Sequence, residues 1–427
     1  MKRQVRHHHG ELAIIGSGLA GFAASIFALE SGIKTVLIGN TGAVAYTTGY
    51  FDLLGTSSGK VLRYPWQGLE DLQRNEPDHP LSRIANDDIN RAFCQFTSAL
   101  TKMGIGYTEP SQHNLSALLP GGVVKPTLSV PETMLPGIKA HAAGSRALII
   151  DFVGLQGFSA KEMVANLKSS WPNLSSTTLA FPDMEKGDEV YAEVMARALE
   201  VPANRQRLAD LIKDKSGDAE IVGLPAILGI HNPDTVHHDM ERLIGLPVFE
   251  IPTIPPSVPG IRLREMFEYR LPDNGLTLLP QQKVQKLDLG DAGITLSLSD
   301  SFGDVVIEAQ AVILATGRFL SGGLTADREI IRETLLDLPV KQPDNRNNWH
   351  RQNYFDLRGH PVNRSGVNID ESFRPLNKEG QPVDQRLFAA GTLLAHQDWI
   401  RQRCGAGVAI ATASKAVEAA VRLLTLE

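Results

Sequence analysis

Leu12-Ala13-Ile14-Ile15-Gly16-Ser17-Gly18-Leu19-Ala20-Gly21 runs from a short apolar strand into a glycine turn, and the residues after it say what kind of turn it is. Phe22 to Ser31 is Ala-rich with helical periodicity and is stopped by Gly32, and Thr35-Val36-Leu37-Ile38 is a second apolar strand. Strand, glycine turn, helix and strand together make a βαβ unit of the dinucleotide-binding type. In such a turn Gly16 and Gly18 let the backbone approach a phosphate, and Gly21 lets helix and strand pack closely. Ser17, Leu19 and Ala20 lie where the amides and the positive end of the helix dipole meet an anion. The second strand should then end in an Asp or Glu that holds an adenosine ribose. Here it ends in Gly39-Asn40. The missing carboxylate leaves room for FMN, whose own phosphate would take the turn, although a side chain from elsewhere could still anchor FAD.

Composition narrows the alternatives. With 427 residues, 42% hydrophobic and 21% charged, the chain is an ordinary globular sequence long enough for two or three domains. A net charge of −6 offers no cation excess for a phosphate backbone, so nucleic acid is not an expected partner. Cys94 and Cys404, the two cysteines, exclude a disulfide framework, a four-cysteine zinc site and an iron–sulfur cluster owned by this chain. A reducing, cytoplasmic setting is expected. Lys2, Arg3 and Arg6 before the apolar stretch Leu12–Leu29 imitate a secretory leader, but the glycines at fixed spacing argue for the nucleotide turn instead. His7-His8-His9 reads as a solvated tail. No metal site is expected: His231, His237, His238, His360 and His396 lack acidic partners at ligand spacing, and the adjacent His237 and His238 should diverge.

Along the chain, residues 1–60 and 251–427 read as one discontinuous Rossmann-like domain, with 61–250 inserted as a second α/β domain. The insert mixes helical patterns (Asp188–Ala198, Asn204–Lys213) with short strands (Ala147–Ile150, Ile221–Gly223), and Pro252 to Pro259 marks the return. Gly275 to Ala309 alternates apolar and polar residues between turn signals, a hairpin-rich segment. A helix is expected over Val408–Leu424.

Three further segments carry chemistry. The strand Ala311–Ala315 runs into Thr316-Gly317-Arg318, similar to the second fingerprint of two-dinucleotide-fold flavoproteins, and Leu387-Phe388-Ala389-Ala390-Gly391 is similar to their third. Gly405-Ala406-Gly407-Val408 opens the last helix, whose amides would face the pyrimidine edge of a flavin ring and favour its anionic reduced state. Cys404, just before that helix, is either a thiol acidified by the helix terminus or a residue with a buried packing role or flavin contact, the latter favoured. Arg262, Arg264, Arg318, Arg328 and Arg332 are candidates for binding phosphate or carboxylate.

These residues resemble the B-subunit family of anaerobic glycerol-3-phosphate dehydrogenase. The resemblance is carried by Ile14–Gly21, Thr47-Thr48-Gly49-Tyr50-Phe51-Asp52-Leu53-Leu54 and Pro255-Pro256-Ser257-Val258-Pro259-Gly260-Ile261-Arg262-Leu263. It continues in Leu314–Leu324, Ile331-Arg332-Glu333 and Leu387–Val408. It implies a two-dinucleotide-binding-type flavoprotein fold with an inserted second domain. It also implies an FMN subunit that works with an FAD-bearing catalytic A subunit and an iron–sulfur C subunit, which passes electrons to membrane quinone. Membrane contact would then come only through a partner. By the same resemblance Gly16, Gly18, Gly21, Thr47, Thr48, Gly49, Gly317, Gly391, Gly405 and Gly407 fall in flavin-binding positions. The sequence departs from the family at Ala395-His396-Gln397-Asp398, where the family has Gly-Gly-Phe-Asp, and at Gly405-Ala406-Gly407, where it has three glycines. Two rivals remain: a stand-alone flavin-dependent oxidoreductase of a 2-hydroxy acid, with Arg318 or His396 near the ring, and a flavin-free scaffold.

Overall fold

The computed structural model describes residues 4–39, 43–184, 189–291 and 293–426, and these fall into two compact units. The first comprises residues up to Ala43, Asp52–Phe96 and Phe267 onward; the second comprises Val44–Phe51 and Thr97–Met266. Asn40 and Asp188 lie outside the described residues, and with them the strand-end expectation for Asn40 and the start of the expected Asp188–Ala198 helix.

The first unit is built on a five-stranded parallel sheet in the order Thr277–Pro280, Thr35–Gly39, Leu12–Ile15, Ala311–Leu314, Leu387–Ala389. Leu12–Ile15 and Ala311–Leu314 are apolar along their whole length because both faces are covered, and all eight residues are buried. The helix Leu19–Glu30 crosses over between Leu12–Ile15 and Thr35–Gly39, and the C-terminal helix Gly405–Leu426 packs in the same unit. Its core includes Phe22 stacked on Phe267 with ring centroids 4.6 Å apart. Among the described residues no helix is long and apolar enough to cross a membrane. The leader-like stretch is instead a central strand followed by a buried helix.

A second sheet in this unit orders Gln4–His9, Gly303–Ala309, Gly293–Asp300 and Lys286–Gly290. The His run is therefore not a solvated tail: His7, His8 and His9 pair in parallel with Val306, Ile307 and Glu308. Backbone pairing along a whole strand outweighs the polarity of its side chains, which alone suggested a tail.

The second unit holds a four-stranded parallel sheet ordered Val248–Ile251, Ile221–Pro225, Ala147–Phe152, Leu174–Leu179. Helices Leu135–Ala143, Ala160–Leu167, Pro202–Lys215 and Pro233–Ile244 accompany it. The boundaries differ from the expected 61–250. Val44–Phe51 belongs to this unit because Phe51 donates its amide to the Ser129 carbonyl (2.9 Å), Tyr50 donates to the Leu118 carbonyl (2.6 Å), and Phe51 stacks on Tyr107. Residues 61–96 belong instead to the first unit, where Lys415 pairs with Asp88 at 2.6 Å and the Phe27 and Phe96 rings meet. Nor does the return fall at Pro252–Pro259; it falls inside the helix Val258–Asp273.

Candidate functional site

The site grows from the turn between Ile15 and Leu19. Gly16 has φ +120°, which excludes other residues, and a Cβ there would lie 2.2 Å from the Ala315 carbonyl oxygen. Gly21 lets the helix descend onto the turn: a Cβ would lie 1.7 Å from the Gly16 carbonyl oxygen. Gly18 differs from both. It caps the helix in an extended conformation (φ −84°, ψ −175°) with no side-chain cap, and the space where its Cβ would stand has no atom within 4 Å. The first amides of a helix have no intrahelical acceptors. Leu19, Ala20 and Gly21 thus present donors and a positive dipole end beside open space, an arrangement that suits an anion.

Gly39 ends the neighbouring strand, and a Cβ there would run into the Ser17 hydroxyl at 2.0 Å, so Ser17 occupies the place beside the strand end. Ala315-Thr316-Gly317 leaves the next strand through a turn with Gly317 at φ +67°. Thr316 Oγ1 is buried without a hydrogen-bond partner, a hydroxyl that a bound group could satisfy. Gly391 lies against Ala20 and donates its amide to Thr412 Oγ1 at 2.8 Å, joining the third strand to the C-terminal helix. Thr412, completely buried in an Ala-rich helix, was not singled out from sequence; its signal is a hydroxyl on the apolar side of that helix.

Gly16–Gly21, Thr316–Gly317, Gly391 and Gly405–Val408 all belong to the first unit, whereas Thr47, Thr48 and Gly49 belong to the second. There the Ser257 hydroxyl donates to the Thr47 carbonyl at 2.7 Å and the Tyr107 hydroxyl to that of Gly49 at 2.9 Å.

Several expectations are corrected. The amides of Gly407 and Val408 are not available to an anion: Gly407 donates to the Asp52 carbonyl at 2.6 Å, and Val408 to that of Cys404 at 2.8 Å. Gly407 is a packing residue, since a Cβ would lie 2.7 Å from the Leu53 carbonyl oxygen. Gly405 and Ala406 open the helix. Arg318 is not a free anion binder: it donates to the carbonyls of Thr392 (2.7 Å), Gln397 (3.1 Å), Leu394 (3.3 Å) and Asn363, so it clamps the Gly391–Asp398 loop. Burial lowers its pKa to about 10, which still leaves it charged near neutrality. Arg262 is spent on a buried pair with Glu250, its two terminal nitrogens 2.6 and 2.7 Å from the carboxylate oxygens. Burial pushes the Cys404 thiol well up, so it is a packing residue and no thiolate. His237, His238 and Glu241 converge rather than diverge, with candidate ligand atoms within 4.8 Å of one another. His237 Nε2, however, sits 2.8 Å from the Val248 carbonyl and must carry a proton there.

The family described as "FAD binding domain" matches residues 11–408. The chain is 30% identical over 411 residues to the B subunit of anaerobic glycerol-3-phosphate dehydrogenase from Yersinia pestis bv. Antiqua, covering 94% of this chain and 96% of that one. It is 30% identical over 425 residues to the protein of the same name from Vibrio cholerae serotype O1, covering 96% of each. Among solved structures, 3-ketosteroid delta1-dehydrogenase from Sterolibacterium denitrificans is 9% identical with a TM-score of 0.44, covering 97% of this chain and all of that one (100%).

Proposed function

The chain belongs to the B-subunit family of anaerobic glycerol-3-phosphate dehydrogenase, within the FAD binding domain fold, and from that membership we propose that it is the flavin-carrying subunit of a complex oxidising sn-glycerol 3-phosphate to dihydroxyacetone phosphate. The observation that carries the reading is the turn at Gly16–Gly21, where an uncapped helix N-terminus faces open space at Gly18. When bound there, the flavin supplies acceptance of a hydride equivalent and its release as single electrons. The chain's own residues bind and orient. The amides after Gly18 take the phosphate, Thr316 Oγ1 gains a partner, and the start of the C-terminal helix at Gly405–Ala406 borders the ring edge. Arg318 fixes the Gly391–Asp398 loop beside it. No lone His/Arg constellation among the described residues of the first unit specifies hydride transfer from a polyol, so the protein acts as an electron relay. With two cysteines it cannot hold a four-thiolate cluster, and in this reading the iron–sulfur relay toward quinone and the FAD-bearing catalytic function belong to partner chains.

The family's description favours FAD as the flavin. One observation favours FMN as a second reading: the strand that should end in a ribose-binding carboxylate ends at Gly39, with Ser17 filling the space beside it. Denaturing the purified protein and separating the released flavin against standards distinguishes the two. Stoichiometric FAD supports the first reading, FMN the second, and a colourless protein purified gently refutes both. Co-purification should recover a second flavoprotein and a Cys-rich partner; a single chain reducing quinone at full rate would overturn the relay.

A further inference from the structure

Three segments of the first unit meet on a face that leaves large apolar side chains in water. The hairpin of Thr56–Ser57 and Lys60–Val61 lies against residues 354–359, since a Cβ at Gly59 would stand 3.5 Å from Leu357 Cβ. That loop lies in turn against the short helix Trp399–Gln402: Arg401 donates from Nη2 to the Tyr354 carbonyl at 3.2 Å, and a Cβ at Gly359 would stand 2.9 Å from Arg401 Cδ. Tyr354, Phe355 and Leu357 are 75%, 77% and 74% exposed, and Val61 and Ile400 are 68% and 63% exposed. A single exposed apolar side chain is ordinary, but five on three touching segments form a patch. Trp399 reaches inward from the same place, its ring 3.1 Å from where a Cβ at Gly405 would stand, so the face borders the start of the C-terminal helix.

The charge around this face is one-sided. Residues 56–64, 351–359 and 398–403 carry six cations, Lys60, Arg63, Arg351, Arg358, Arg401 and Arg403, against two carboxylates, in a chain whose net charge is −6. Asp356 is taken by Arg358 at 2.7 Å, and Asp398 is 3% exposed, its carboxylate accepting the Arg401 amide at 3.3 Å. The other five cations have no carboxylate within 4 Å among the described residues.

The form of the face says what covers it. Side chains three-quarters exposed on one loop stand out from the surface instead of lining a groove, so a protein partner would need a socket for each of them. A fluid apolar layer beneath an anionic surface needs none. Aromatic and aliphatic side chains enter it at the level of the headgroups, while cations remain with the lipid phosphates.

We propose that this face binds the surface of an anionic lipid bilayer directly, with Tyr354, Phe355, Leu357 and Ile400 entering the interface and Lys60, Arg63 and Arg351 meeting the headgroups. The contact is peripheral, for no helix among the described residues is long and apolar enough to cross a membrane. It gives this chain a membrane contact of its own, which the family resemblance leaves to a partner, and it does not depend on the flavin reading.

Flotation of the purified full chain with vesicles tests the assignment, using phosphatidylcholine alone and phosphatidylcholine mixed with phosphatidylglycerol. The chain should float with the mixed vesicles, stay behind with the zwitterionic ones, and be released as salt is raised. Lys60→Gln combined with Arg63→Gln should weaken binding by about fivefold for each charge removed. Phe355→Ser, on an exposed loop where the unfolding midpoint should not move, should weaken it by about tenfold or more. In Phe355→Trp, adding the mixed vesicles should shift the indole emission to the blue beyond any shift of the wild type. Absence of flotation with the mixed vesicles, equal flotation with both kinds, or undiminished binding in both the charge and the Phe355→Ser variants would overturn the proposal. A chain that floats only within its co-purified complex would overturn it in favour of a protein partner on this face.

Discussion

Replacing Gly18 with Ala separates a binding glycine from a folding glycine. At φ −84° and ψ −175° an alanine is unstrained, and its methyl would meet no atom within 4 Å. The chain itself should therefore fold with unchanged stability or gain slightly, by about 0.4–1 kcal/mol, from a less flexible unfolded state. A bound phosphate changes that balance. The methyl would stand in the space through which phosphate oxygens approach the amides of Leu19, Ala20 and Gly21. Losing one charge-assisted hydrogen bond costs on the order of 1.5–3 kcal/mol, or about ten- to a hundredfold in Kd. The assay has two arms: thermal unfolding of the flavin-free protein, and fluorescence titration of the same preparation with flavin. Gly21→Ala is the contrast, because its methyl would be driven into the Gly16 carbonyl oxygen at 1.7 Å and must displace the helix, lowering stability and binding together. A stable Gly18→Ala protein that binds flavin as tightly as wild type would refute the placement of phosphate at this turn.

Gly407→Ala should destabilise the first unit by about 1–3 kcal/mol through overpacking against the Leu53 backbone, seen as a lower unfolding midpoint in the absence of flavin; an unchanged midpoint would contradict the packing described. His79 accepts the Leu81 amide at Nδ1 (3.1 Å) and donates from Nε2 to Gln402 (3.3 Å), and burial lowers its pKa to about 3. Between about pH 6.5 and 3 the unfolded chain takes up a proton that the folded chain refuses, so stability falls with pH by up to about 1.4 kcal/mol per unit. In His79→Gln that part of the acid slope should vanish in denaturant titrations run at several pH values. Iodoacetamide applied to the native protein should label Cys94, which is exposed, and spare Cys404, as read by peptide mass mapping; early labelling of Cys404 would show that its burial is breached. Glu250→Gln leaves the Arg262 guanidinium buried without its counter-charge and should cost about 3–5 kcal/mol in the second unit, measured by chemical unfolding.

The glycine turn was legible because its demands are stereochemical and local: spacing alone placed Gly16 and Gly21 at positions where a side chain cannot fit. The parallel strands were legible for a related reason, since sequences buried on both faces are apolar throughout, as in Ala311–Leu314. Domain boundaries were not. An amphipathic pattern says which face of a helix is buried and leaves open against what. Residues 61–96 therefore read as part of an insert, although Asp88 pairs with Lys415. The eight residues Val44–Phe51 went the other way on the strength of contacts to Leu118, Tyr107 and Ser129, which no local pattern announces. Arg318 shows the same gap. Its position after Gly317 suggested an anion binder, and only the fold reveals that four carbonyls consume its donors.

The C-terminal helix shows why a helix N-terminus read from sequence is an upper bound on positive potential. From sequence, the amides of Gly405 to Val408 read as free donors, with a field that could acidify Cys404 beside them. In the fold the Asp52 carbonyl takes the Gly407 amide, and Gly407 is there to admit the Leu53 backbone. Cys404, beside that terminus, is governed chiefly by its burial. Burial raises its pKa first, the carboxylates of Asp52 and Asp398 raise it further, and Arg318 alone among the larger influences opposes them. At the last helix the Gly407 and Val408 amides already have acceptors, whereas at the first helix the uncapped turn at Gly18 borders space in which a Cβ would meet no atom within 4 Å. The anion preference of the site therefore rests on the first helix of the chain more than on the last, and substitutions at Gly18 should move flavin affinity far more than substitutions at Ala406.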